Sequence, residues 1–103
     1  MIRATVLYPS SATRFDYDYY VNKHTPLVNE LWKPHGLVSV EISKGISGIA
    51  PGSKPAFVTI TNLVFTSTEA LYAALAASGA QVMGDIANFT DVQPEVQLSE
   101  ILS

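Results

Sequence analysis

The chain has 103 residues, 48% of them hydrophobic and 15% charged, with a formal net charge of −3 and no cysteine. That length holds one domain with a real core, and the composition excludes a disordered chain. Six Lys/Arg residues scattered without a basic run argue against a nucleic-acid partner, and the lack of cysteine removes disulfides, thiolate nucleophiles and cysteine metal sites. No apolar run approaches a membrane span, and the N-terminal residues lack the charged start and long apolar stretch of a signal peptide; a cytoplasmic setting is expected. The low charge fraction for so small a domain suggests that a partner subunit covers part of the surface.

Residues 2–8 alternate Ile2, Ala4, Val6 and Tyr8 against Arg3, Thr5 and Leu7, a strand pattern stopped by Pro9-Ser10-Ser11. Asp16 is the expected N-cap of a helix from Tyr17 to Trp32. On that helix Tyr17, Tyr20, His24, Leu27, Val28 and Leu31 share one side, while Asp18, Asn22, Asn29 and Lys33 lie on the other. Pro26 interrupts the register, so a kink or restart is expected near Thr25, with Thr25 capping the second segment. Lys33-Pro34-His35-Gly36 ends the helix.

Leu37 to Ser43 and Phe57 to Phe65 read as a second and third strand, joined by a loop too long for a tight hairpin. Thr66 and Glu69 form a capping box for a second helix. Leu71, Leu75, Val82 and Ile86 can share a face of that helix, with an interruption at Ser78-Gly79. The last strand is expected over Asp91 to Ile101. The order βαββαβ with right-handed crossovers gives an α+β, ferredoxin-like fold: a four-stranded antiparallel sheet with two helices on one face. The last strand then lies at an edge, where Pro94 is tolerated.

The helix-facing side is predicted to carry Ile2, Ala4, Val6, Val38, Val40, Ile42, Val58, Ile60, Val92, Val96 and Leu98. The other side carries polar residues, Thr59 and Thr61 among them, mixed with Leu7, Phe57, Leu63 and Phe65. Large apolar residues on an uncovered face favour a second copy packed against it, sheet to sheet, as a dimeric α+β barrel.

Three stretches carry a family resemblance. Phe15-Asp16-x-Asp18-Tyr19-Tyr20-x-x-x-His24-x-Pro26-Leu27-Val28 strongly resembles the signature of the EthD family, linked to ethyl tert-butyl ether degradation. Val6-Leu7-Tyr8-Pro9 and Asp85-Ile86-Ala87-Asn88-Phe89-Thr90-Asp91-x-Gln93-Pro94 also resemble it, in colinear order over almost the whole chain. Ala87 stands where proline is common in similar proteins. The resemblance implies one EthD-like domain over residues 1–103, dimerising through its sheet, with a pocket between sheet and helices in each protomer. Relatives of that architecture include cofactor-free monooxygenases, aromatic polyketide cyclases, decarboxylases and lactone isomerases. For the family itself an accessory role beside a cytochrome P450 ether-degrading system is usually described.

His24 is the first candidate for chemistry, because imidazole titrates nearest neutrality and a histidine on a buried face needs a partner. Two readings stand. It is a core histidine donating to a carbonyl, such as one freed by Pro26, or a general acid/base acting on a small molecule in an apolar pocket. Burial without a nearby carboxylate would favour the neutral base. Tyr8 and Tyr20 are expected to line the pocket, with hydroxyls that reach the imidazole or hold a substrate oxygen. Trp32 shapes the pocket. Asn62 interrupts the apolar face of the third strand and is either the pocket's polar anchor or a residue of a frayed strand end. Asp85, Asn88 and Asp91 read as caps and turn formers rather than catalytic carboxylates.

Several chemistries are set aside. His24 and His35 cannot chelate one ion from their spacing, no HExxH motif is present, and Gly45-Ile46-Ser47-Gly48-Ile49 fails the nucleophile elbow. Some dimeric barrels hold haem, and with one histidine and no distal groups a haem ligated by His24 is a minor option. The leading expectation is therefore a homodimer that binds an apolar or aromatic molecule and transforms it without a tightly held cofactor, by oxygenation or by proton transfer such as cyclisation, decarboxylation or isomerisation. The alternative is a non-catalytic accessory or ligand-binding protein supporting an oxygenase partner.

Overall fold

Four strands, β1 (Ile2–Pro9), β2 (Leu37–Lys44), β3 (Phe57–Phe65) and β4 (Glu95–Glu100), pair antiparallel in the order β2-β3-β1-β4. This is the ferredoxin-like arrangement that the element order predicts. The computed structural model describes all residues, Met1–Ser103. Pro94 immediately precedes edge strand β4, so its missing N–H breaks no ladder bond. β4 is shorter than expected: residues before Glu95 turn away from the sheet, and Thr90 bridges to Phe15 instead. No helix is long and apolar enough to cross a membrane.

The helical run from Tyr17 to Trp32 is continuous but changes gauge. It passes from α1 (Tyr17–Tyr19) through a π turn at Tyr20–His24 into α2 (Thr25–Trp32). Asp16 caps it as expected, accepting from the Tyr19 amide at 3.0 Å. Thr25 does not cap a restarted helix. Its own φ of −64° and ψ of −43° are helical, and both its amide and its hydroxyl donate back to the Tyr20 carbonyl. A proline ring crowds the carbonyl four residues earlier and supplies no N–H. Widening the turn before Pro26 accommodates both demands, and π turns of this kind turn side chains by an extra increment around the helix. The run closes through a 3₁₀ turn at Lys33–His35 and Gly36, whose φ of +100° requires glycine.

Helix α3 (Thr68–Gly84) is capped by Ser67, which accepts from the Ala70 amide, and not by Thr66. Thr66 still belongs to the end of the sheet, where its amide bonds the Gly36 carbonyl. The expected interruption is present as non-helical backbone at Ser78.

The parity of β3 is the main correction. Thr59, Thr61, Leu63 and Phe65 face the helices and are buried, whereas Ile60, Asn62 and Val64 face the other side. Alternation has period two, so one wrong assignment inverts the whole strand. Two threonines face inward because tyrosines satisfy their hydroxyls: Thr61 with Tyr20 at 2.6 Å and Thr59 with Tyr17 at 3.3 Å. Val38 is also corrected, since a bulge between Leu37 and Ser39 leaves it exposed while Leu37 packs inward.

The core divides in two. Trp32, Phe65, Leu71 and Ala74 anchor the part between α2, α3 and the sheet. Tyr8, Tyr20, Ile86 and Phe89 form an aromatic part beneath the π turn. Between them lies a cavity.

Candidate functional site

The cavity measures about 320 Å³, at the lower end of the range typical of small-molecule sites. Fifteen of its 19 lining residues are hydrophobic, and none is Lys, Arg, Asp or Glu. Its floor is the helix face of the sheet. The π turn and α2 supply one wall, α3 the other, and the exposed apolar residues Val96 and Leu98 of β4 lie at its open side.

Of the residues singled out in the sequence, Tyr8, Tyr20, His24 and Trp32 all line this cavity. Asn62 does not. The inverted parity of β3 puts it on the far side of the sheet, where it accepts a hydrogen bond from Thr5 at 2.9 Å. The polar group that β3 presents to the cavity is Thr61.

His24 is 5% exposed and ends the π turn. Its ring lies parallel to that of Tyr20, with centroids 5.3 Å apart, and tilts against Phe89 at 4.7 Å. Neither Tyr8 nor Tyr20 hydrogen-bonds the imidazole. Asp85 does: its Oδ2 lies 2.8 Å from Nδ1. The carboxylate thus replaces the backbone carbonyl expected of a core histidine, and the ring is not the carboxylate-free imidazole considered from sequence. Nε2 makes no hydrogen bond within the protein, yet no buried polar side-chain atom lacks a partner, so Nε2 keeps some exposure on a residue that lines the cavity.

Asp85 is itself held. The Tyr19 hydroxyl donates to Oδ1 at 2.7 Å and the Asn88 amide donates to the same oxygen at 2.8 Å. Partial burial works to raise its pKa, but hydrogen bonds from Tyr19, Asn88 and His24 outweigh it and keep the carboxyl below its ordinary range. Tyr19 responds in the opposite sense: donating to Asp85 raises the phenol. A carboxylate fixed in this way favours the tautomer with hydrogen on Nδ1, which leaves Nε2 as an acceptor.

The tyrosines of the cavity are held protonated. Burial is the main cause that raises Tyr8, followed by the nearby Tyr20, and burial raises Tyr20 as well. Tyr8 packs edge-on against Tyr20, Phe15 and Phe89. Trp32 directs its indole N–H to Ser78 Oγ at 2.9 Å, which ties α2 to the kink of α3.

Asp85, Asn88 and Tyr19 were not legible as site residues. Asp85 and Asn88 sit where turn formers sit, at the end of α3 and in the 3₁₀ turn Ile86–Asn88. Asp91 behaves as expected of a turn former, taking the Thr13 hydroxyl and the amides of Thr13 and Arg14. The one available signal was the spacing of three between Asp85 and Asn88, which directs both at a common neighbour. No group of three or more His, Cys, Asp or Glu is placed to hold a metal ion.

The sequence profile of the EthD domain matches residues 9–93. Among solved structures, an EthD-like protein from Ralstonia eutropha JMP134 is 38% identical, with a TM-score of 0.92, covering 99% of this chain and 92% of its own. An ethyl tert-butyl ether (EthD) family protein from Bacillus halodurans C-125 is 21% identical, with a TM-score of 0.67 and 99% of both chains covered. HapK from Hahella chejuensis is 14% identical, with a TM-score of 0.65, covering 99% of this chain and 93% of its own. At the latter two identities the likeness concerns the fold alone. No curated protein of known function matches. With the profile covering most of its length and the sequence motif around His24 built into one wall of the cavity, the chain belongs to the EthD family.

Proposed function

We propose that this protein is a homodimer that binds a small, neutral, apolar or aromatic molecule in the cavity and acts on it by proton transfer, with His24 as general acid/base and Asp85 holding the ring. One observation carries the reading: a buried imidazole bonded through Nδ1 to a carboxylate at 2.8 Å, with Nε2 left to an otherwise apolar cavity. A core histidine needs only one satisfied nitrogen and no open cavity beside the other. An apolar surround strengthens a base whose partner is already in place, because no solvent competes for it.

The reading requires no tightly held cofactor. A carbanion formed by the base can be reprotonated, attack an internal electrophile, or react with dioxygen, so isomerase-, cyclase- and oxygenase-type outcomes share this first step. The dimer is supported by the outer sheet face, where Leu7, Ile60 and Val64 remain half-buried and no helix covers them. The case from Leu63 and Phe65 no longer applies, since both lie beneath the helices.

The test is the Kemp elimination of 5-nitrobenzisoxazole, a neutral apolar probe whose ring opens when a base removes one carbon-bound proton. The wild type is expected to accelerate it, and His24→Gln to lose about 100-fold, the contribution of a positioned base. Equal rates in the two proteins would leave His24 as a structural residue and favour an accessory role.

A further inference from the structure

The polar side-chain atoms around the cavity are nearly all occupied. The Tyr20 hydroxyl pairs with Thr61 Oγ1 at 2.6 Å, the Thr25 hydroxyl donates to the Tyr20 carbonyl at 2.8 Å, and the Trp32 N–H donates to Ser78. Two atoms remain. One is Nε2 of His24. The other is the Tyr8 hydroxyl, which gives its hydrogen to Tyr20 only in a loose contact outside ordinary hydrogen-bond geometry, although the residue is only 2% exposed. Tyr8 lines the cavity, so a ligand there can compete with Tyr20 for that hydrogen.

Both groups neighbour Tyr20. The Tyr8 ring meets it edge-on at 5.7 Å and the His24 ring lies parallel to it at 5.3 Å. Burial keeps the Tyr8 phenol protonated, so the hydrogen it shares loosely with Tyr20 can turn to a ligand, and no anion competes. A ligand must therefore bring one acceptor for Tyr8 and one removable proton for His24. A charged ligand is excluded, because no cation or anion lines the wall and an unpaired buried charge costs several kcal/mol.

We propose that the cavity is built for a neutral, flat ketone bearing a C–H beside its carbonyl, with the oxygen under the Tyr8 hydroxyl and that C–H facing His24 Nε2. This rests on the proton-transfer reading of His24 and names its substrate class. Nε2 takes the proton, the C–H electron pair becomes the new C=C bond, and the carbonyl π pair moves onto oxygen. The resulting enolate oxygen is held by Tyr8, and the imidazolium faces Asp85. Return of the proton to carbon restores the ketone, and its delivery to oxygen gives the enol. No oxidant or reductant is needed. Tyr8 is then a catalytic residue, because its hydrogen bond strengthens as charge develops on the oxygen.

The experiment uses 2-tetralone in deuterated buffer, with loss of its α-proton signals followed by NMR. Wild-type protein is expected to exchange them faster than buffer alone, and Tyr8→Phe to be slower by about 100-fold, the usual cost of losing one oxyanion donor. A second measurement needs no variant: the carbonyl carbon-13 resonance of bound 2-tetralone should move downfield, as a hydrogen-bonded carbonyl does. Exchange unchanged in Tyr8→Phe, a bound carbonyl with no downfield shift, or no binding at all would each overturn the ketone assignment. The elimination probe separates this from failure of the base, because it needs His24 but carries no carbonyl. Elimination lost in His24→Gln without tetralone exchange in wild type sinks only the ketone, whereas elimination indifferent to His24 sinks the underlying reading as well.

Discussion

His24 and Asp85, 61 positions apart in the chain, meet at 2.8 Å because the π turn and the end of α3 converge over the same aromatic cluster. The contact fixes which imidazole nitrogen faces the cavity. Asparagine at position 85 preserves the shape but can present either an acceptor or a donor to Nδ1, so the tautomer is no longer imposed. Asp85→Asn is therefore expected to retain the fold and bound 2-tetralone while reducing elimination of 5-nitrobenzisoxazole by about 10-fold or more. An undiminished rate would reduce Asp85 to a cap for the following turn.

The same contact sets an acid limit. Asp85 is held below the ordinary carboxylate range in the folded protein, so the folded state binds its proton less readily than the unfolded chain. Its stabilising contribution is complete above the unfolded value, about pH 4, and is lost as pH falls through the lower folded value. Asp91, lowered chiefly by the Thr13 hydroxyl, acts in the same direction. Urea unfolding from pH 6 down to pH 2.5 should show stability falling below about pH 4, with a shallower fall in Asp85→Asn. An identical slope in both proteins would contradict the linkage.

Phe89 joins stability to the site. It is fully buried and touches Tyr8, Phe15, Tyr19, Tyr20 and His24, so one ring sets the positions of five others. Phe89→Ala should cost about 3–5 kcal/mol in denaturant unfolding. The milder Phe89→Leu is expected to stay folded yet broaden the His24 ring resonances, because the face against which the imidazole rests is gone. Sharp, unshifted His24 signals in Phe89→Leu would show that Asp85 and the stacked Tyr20 fix the ring without it.

The fold was legible wherever pattern and chemistry agreed. Alternation in Ile2–Tyr8, the Asp16 cap and the Gly36 stop each follow from local rules, and the element order does the rest. Inversion of β3 shows the limit of such rules. Thr59 and Thr61 look solvent-facing until their hydroxyls meet Tyr17 and Tyr20, and that pairing is tertiary. Tyr8, Tyr20 and His24 could be placed on the inner side from periodicity, which the π turn shifts without reversing; Trp32 was placed only as the last residue of the helix. Asp85 could not, since a carboxylate at a helix end is explained by capping until the partner across the fold is seen. The π turn was legible only as trouble near Pro26; a local pattern does not say whether a helix breaks or widens.

The outer sheet face gives the last prediction. Leu7 and Ile60 lie opposite each other in the β1–β3 register, and Val64 shares their face beyond a polar row of Glu41, Asn62, Thr5 and Gln97. Apolar side chains that no helix covers favour a partner on this face. The protomer buries 18 of its 103 residues and leaves Val21, Val38, Val96 and Leu98 among its exposed apolar side chains. If a twin sheet covers it, a charge at position 60 is carried into the contact by both copies. Ile60→Lys would then bury two like charges, costing several kcal/mol of association, while the half-exposed site leaves the protomer folded. Sedimentation equilibrium should return twice 11.1 kDa for the wild type and 11.1 kDa for Ile60→Lys, with matching circular dichroism. A wild type that stays at 11.1 kDa at high concentration would mean that this face meets water, and that the cavity of each protomer is complete without a neighbour.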